Sequence, residues 1–231
     1  MKPSDRLIVA LDRSDRGEIL RMVEELSGFA GVFKIGLQAF VANGPSLVRE
    51  IADRGERVFL DLKLHDIPNT VRKSVEESAR LGVAMLTIHA SGGPEMIRAA
   101  SEASASAGGS LLILGVTVLT SLDGESLEAI GIHDGAEASV VRLARLAMER
   151  GAGGVVASPR EIAAIRRACG KGLKIVTPGI RGPGDAASDQ ARTLSAHEAI
   201  EAGADYIVVG RPITDAESPR RAAEAIVATI S

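Results

Sequence analysis

Eight short apolar runs recur along the chain, at residues 7–12, 32–36, 58–63, 85–90, 111–119, 153–158, 174–179 and 206–211, each followed by a segment of helical period. Parallel strands must be joined by crossovers long enough to hold a helix, so this alternation is the pattern of a parallel sheet. Eight such units within 231 residues predict an α/β fold, a (β/α)8 TIM barrel, as a single domain spanning residues 1–231. An open doubly wound sheet is the competing architecture. It is disfavoured because the first run lacks the G-x-G-x-x-G turn of a dinucleotide fold.

The intervening segments carry helix signals. Asp15 and Glu18 form a candidate capping box, and Ile19, Met22, Val23 and Leu26 then repeat at helical spacing as far as Gly28. Ser195 and Glu198 repeat the box before the seventh helix, while Leu47, Val48, Ile51 and Ala52 give the second helix an apolar stripe ending near Gly55. Two connections exceed what a minimal barrel needs, residues 120–135 and 180–194, and both follow strands whose C-terminal ends form the barrel mouth.

One run departs from plain apolar character. In Val58-Phe-Leu-Asp-Leu-Lys-Leu-His-Asp-Ile-Pro-Asn-Thr70, charged groups of both signs interleave with leucines. A strand period of two puts Phe59, Asp61 and Lys63 on one face and Leu60, Leu62 and Leu64 on the other. Asp66 follows the strand, and Pro68 ends the ladder and opens a helix near Asn69. Unpaired charge is costly to bury, so the stretch is either an ion pair plugging the barrel for structural reasons or a catalytic centre.

Barrel active sites lie at the C-terminal ends of the strands. There Asp12 closes the first strand, Lys34 interrupts the second, and Asp61 and Lys63 sit on the third, so neighbouring strands about 4.8 Å apart bring them into one array of alternating sign. Such groups keep one another ionised and titrate together. On the other side of the mouth, Pro178-Gly-Ile-Arg181 follows strand seven and Val209-Gly-Arg-Pro212 follows strand eight. Those are the loops with which barrels hold phosphate. Gln190 lies in the polar loop between them, as a ligand contact or a plain loop amide.

The remaining composition excludes several classes. A net charge of -3 gives no electrostatic footprint for nucleic acid or an anionic membrane surface, and with no Trp and 2% aromatics there is no stacking platform for single strands. Cys169 is the single cysteine, so disulfide frameworks and cysteine-cluster metal sites fall away, and with no signal-like or membrane-spanning apolar segment the expectation is a cytoplasmic protein. His65, His89, His133 and His197 lack metal-ligand spacing. Asp12, Asp61 and Asp66 have the chemistry to hold magnesium, but Lys34 and Lys63 would compete with it, so no metal is expected.

The run Asp61-Leu-Lys-Leu-His-Asp-Ile-Pro-Asn-Thr70 resembles the signature of the bacterial-type orotidine 5′-phosphate decarboxylase family. Lys34-Ile-Gly36, Pro178-Gly-Ile-Arg181 and Val209-Gly-Arg-Pro212 stand in the order and spacing of that family, and the resemblance covers essentially the whole chain. The shorter Asp-x-Lys-x-x-Asp pattern is shared with magnesium-dependent sugar-phosphate lyases, in which an acidic residue is expected where Lys34 stands. The resemblance implies a carboxy-lyase of pyrimidine (UMP) biosynthesis, free of metal and cofactor, converting orotidine 5′-phosphate to uridine 5′-phosphate. Lys34, Asp61, Lys63 and Asp66 would form its charged network, with Lys63 the proton donor. Asp12 and Thr70 would bind ribose hydroxyls, Thr120 and Gln190 would lie near the pyrimidine and phosphate, and Arg181, Gly210 and Arg211 would hold the phosphate. In the family Asp66 and Thr70 reach the neighbouring subunit's site, which implies a homodimer. A barrel that only binds a nucleotide or sugar phosphate is the alternative of a different class.

Overall fold

A computed structural model describes residues 2–181 and 194–230. Its strands are β1 (Leu7–Ala10), β2 (Val32–Gly36), β3 (Val58–Leu64), β4 (Met85–His89), β5 (Leu112–Val116), β6 (Gly154–Val156), β7 (Lys174–Thr177), β8 (Ile180–Arg181), β9 (Leu194–Ser195) and β10 (Tyr206–Val209). Eight of them close into a barrel in the order β1-β10-β7-β6-β5-β4-β3-β2, every neighbouring pair parallel. The expected (β/α)8 architecture is therefore present. Each strand of the barrel begins within one residue of an apolar run, but most stop short of its end, because the last residues of each run already turn into the mouth loops.

The period of two separates two apolar layers. Ile8, Ala10, Val32, Phe59, Met85, Leu114, Val176, Tyr206 and Val208 fill the barrel interior. Their strand neighbours Leu7, Val9, Phe33, Ile35, Leu60, Leu86, Ile175 and Ile207 pack outward under the helices. Fully burying one such aliphatic or aromatic side chain stabilises by about 1.5–3 kcal/mol, so the two layers together outweigh any single polar contact.

The helices are α1 (Arg16–Leu26), α2 (Leu37–Asp53), α3 (Pro68–Arg80), α4 (Pro94–Ser106), α5 (Gly124–Ala129), α6 (Gly135–Glu149), α7 (Ile162–Cys169), α8 (Ala196–Glu201), α9 (Arg211–Thr214) and α10 (Pro219–Thr229). The capping box at Ser195 and Glu198 forms in full. At α1, Asp15 accepts the Glu18 N–H at 2.7 Å, whereas the Glu18 carboxylate faces Arg13 at 3.8 Å across the turn. The stripe Leu47, Val48 and Ile51 is buried, but Gly44 at φ 66° with Pro45 behind it breaks α2 into two pieces. Both long connections hold more structure than their composition suggests. Residues 120–135 contain α5, and the segment 180–194 begins and ends in β8 and β9, which pair in parallel as a two-stranded sheet.

The N-terminal end of the barrel is tied by one carboxylate. Asp205 accepts hydrogen bonds from the Ile175 N–H at 2.9 Å, the Lys174 ammonium at 3.0 Å and the Arg166 guanidinium, which also donates to the Gly203 and Leu173 carbonyls. Burial alone would raise the Asp205 carboxyl, but the Ile175 N–H with Lys174 and Arg166 outweighs it and holds the group below its ordinary value of 3.8. A depressed folded-state pKa contributes stability above 3.8 that is lost as pH falls through the lower folded value. Asp205→Asn is therefore expected to cost about 1–2 kcal/mol at neutral pH, the modest figure reflecting partial solvent screening. Urea titrations of both proteins should show that gap closing on acidification; a gap independent of pH would contradict the assignment.

Candidate active site

The charged residues expected at the mouth do face inward there. Lys34 follows the interior residue Val32 by two positions, and Asp61 follows Phe59 in the same way, so the strand period carries both into the barrel. Lys34 Nζ lies 2.8 Å from Asp12 Oδ1 and 3.6 Å from Asp61 Oδ2. Lys63 Nζ lies 2.9 Å from both Asp61 oxygens. The result is a continuous array Asp12, Lys34, Asp61, Lys63 of alternating sign. Lys34 and Asp61 are each only 8% exposed, which fixes which members of the array water can reach: chiefly Asp12 and, in part, Lys63.

Gly36 makes the first of these contacts possible. A Cβ built there would stand 2.6 Å from Asp12 Oδ1 and 3.0 Å from Lys34 Nζ, so a side chain at this position would have to displace the ends of both and disturb their contact. On Asp61, burial is the largest influence and would raise the carboxyl. The charges of Lys34 and Lys63, with hydrogen bonds from Lys63 and Thr87, outweigh it and keep the group ionised and below its ordinary value. The His65 and His89 rings stand 5.2 Å apart next to this cluster. Burial first, then the charges of His65 and Lys63, lowers His89.

A cavity of about 990 Å³ opens above the array. Asp12, Lys34, Asp61 and Lys63 form one side of its lining, and Thr120, Gly210 and Arg211 are on its wall with Pro178 and Gly179. Seven of the eleven sequence-expected site residues are thus gathered around one volume. Asp66 and Thr70 are not among them; both are exposed in the run 65–70, where Asp66 accepts the Ile67 N–H at 2.6 Å and α3 starts at Pro68. Arg181 is placed by its backbone in β8, and Gln190 lies outside the described residues. Among the described residues no three His, Cys, Asp or Glu side chains are grouped as a metal site. Nor is any helix there long and apolar enough to cross a membrane.

The profile of the family described as orotidine 5′-phosphate decarboxylase / HUMPS matches residues 5–226. The chain belongs to this family. It is 51% identical over 228 residues to the orotidine 5′-phosphate decarboxylase of Anaeromyxobacter dehalogenans, covering 99% of each chain, and 50% identical over 236 residues to that of Moorella thermoacetica, covering 100% of this chain and 94% of the relative. Among solved structures, the orotidine 5′-phosphate decarboxylase of Lactobacillus acidophilus superposes with a TM-score of 0.88 at 34% identity, covering 97% of this chain and 98% of the other.

Two features of this orotidine 5′-phosphate decarboxylase / HUMPS barrel escaped the sequence reasoning. Lys63 has φ 50°, the one non-glycine residue at positive φ among the described residues, and the β3–β4 register shifts between Leu60 and Leu64 around it. A left-handed residue with a side chain costs about 1–3 kcal/mol, and it persists only where its surroundings hold it. The second feature is Thr87 on β4, fully buried, whose hydroxyl accepts the Lys63 N–H and donates to Asp61 Oδ1, both at 2.9 Å. A polar residue two places after the interior Met85 was the available signal, visible once the register was known.

Proposed function

We propose that this protein decarboxylates orotidine 5′-phosphate to uridine 5′-phosphate and CO2, in the cytoplasm and as one catalytic unit spanning residues 1–231. The observation that carries the reading is an ammonium, Lys63, aligned by a buried carboxylate at the wall of a cavity that Gly210 and Arg211 also line.

Loss of CO2 from C6 of the pyrimidine leaves an electron pair in the ring plane, with no adjacent carbonyl or imine to delocalise it. The protein must therefore stabilise localised charge. Lys63 favours that charge as an ammonium ion and then delivers a proton to C6. Asp61 aims Lys63, Lys34 balances Asp61, and Asp12 orients a ribose hydroxyl beside Lys34. An ion pair at 4 Å is worth about 4 kcal/mol at an effective dielectric of 20, while enzymes lower barriers by about 8–23 kcal/mol. Binding energy from the remote phosphate supplies more, held by Arg181, Gln190, Gly210 and Arg211, with Thr120 beside the pyrimidine.

Asp66 and Thr70 belong in this scheme to the site of a second copy. They sit in an exposed run that includes Ile67, 66% exposed, and neither lines the chain's own cavity. A homodimer in which each run 65–70 completes the neighbouring mouth accounts for both facts.

The test is direct. Adding orotidine 5′-phosphate to the purified protein in the presence of EDTA should give the ultraviolet change of conversion to uridine 5′-phosphate. No conversion would refute the reading, and activity on a sugar phosphate that returns only with magnesium would establish the lyase alternative.

A further inference from the structure

We infer that Thr87 is a positioning residue for the proton donor, locking the Lys63 main chain in its left-handed conformation and aiming the Lys63 ammonium through Asp61. The inference rests on the decarboxylase reading and adds a residue to it.

The hydroxyl sits between two ends of one catalytic unit. It accepts the backbone N–H of Lys63 at 2.9 Å and donates its proton to Asp61 Oδ1 at 2.9 Å, and the same Asp61 oxygen accepts from Lys63 Nζ at 2.9 Å. One oxygen therefore holds both the main chain of Lys63 and, through Asp61, the end of its side chain. A hydroxyl suits this place because it donates and accepts at once; a carboxylate would repel Asp61 and a methyl would satisfy neither group. Thr87 is 0% exposed, so no water stands ready to replace it.

The local geometry explains why such a clamp is needed. Between Leu60 and Leu64 the β3–β4 register slips, so the ladder does not specify where Lys63 points. At φ 50° an L-residue relaxes toward the extended region once its partners are gone. That relaxation would swing Lys63 Nζ away from the cavity without removing any charge. Thr87 lines neither the cavity above the array nor its phosphate side, so substrate affinity should be insensitive to it.

The experiment compares wild type, Thr87→Val and Thr87→Ser in steady-state kinetics with orotidine 5′-phosphate, and determines the crystal structures of the free proteins. Valine should lower kcat by about 10- to 100-fold, as expected for a misplaced catalytic group, with KM within about twofold. Serine should recover most of kcat. The valine structure should show Lys63 outside the left-handed region with Nζ away from Asp61. If Val does not fold, Thr87→Cys, of similar size but a weak donor and acceptor, should give the same kcat loss. Unchanged kcat in the valine or cysteine protein, equal losses in valine and serine, or an unmoved Lys63 would overturn the inference. Wild type that leaves orotidine 5′-phosphate untouched would sink the functional reading instead, and the valine structure would still decide whether Thr87 holds Lys63.

Discussion

Lys63→Ala is expected to lower kcat on orotidine 5′-phosphate by at least about 10⁴-fold while the protein stays folded, because in the proposed mechanism the substitution removes both the stabilising cation and the proton source. Those contributions act on the same atom at successive moments, so they cannot be restored separately. The fold should survive for two reasons. Lys63 is at the mouth and partly exposed, and alanine keeps the main-chain N–H that Thr87 accepts, so the backbone at this position is held as before. Asp61 would still face Lys34 at 3.6 Å and accept from Thr87, so the buried carboxylate is not orphaned. Circular dichroism and a urea titration would check the fold, and single-turnover kinetics the chemistry. A kcat within tenfold of wild type would remove Lys63 from the reaction.

Arg211→Ala should act on a different part of the free energy. Charge-assisted hydrogen bonds are worth about 1.5–3 kcal/mol each, so if Arg211 grips the phosphate at two points, as the proposed function has it, its loss should reduce kcat/KM on the nucleotide by about 10³-fold. On the phosphate-free nucleoside, which cannot use that grip, the two proteins should differ by less than about threefold, since no remote binding energy remains to be lost. The contrast between the substrates is the measurement. Equal losses on both would place Arg211 in the fold of the mouth and not on the phosphate.

The architecture and the placement of most candidate site residues were legible in the sequence, and the residues explain why. Strand period alone sent Lys34 and Asp61 to the interior, because each lies two positions from an interior apolar residue, Val32 or Phe59. Barrel topology alone put Gly210 and Arg211, at the end of β10, at the same mouth. What stayed hidden depends on geometry that no periodicity encodes. The slip in register at Lys63 and the role of Thr87 arise from contacts between β3 and β4, which are distant in sequence and meet only when the barrel closes. Gly44 and Pro45 were legible letters, yet the stripe Leu47, Val48 and Ile51 masked the break they cause in α2. The pairing of β8 with β9 was equally silent, since two-residue strands carry no pattern.

Gly36 has a wider consequence. There a bare main chain lies against the direct contact of Asp12 with Lys34, so the room for two opposite charges to meet includes the space of a missing methyl group. Adding bulk there would first part an anion from a cation and only afterwards crowd a ligand. A change of volume at a position that looks inert would thus register as an electrical event, felt at Asp61 one link further along and at Lys63 beyond it.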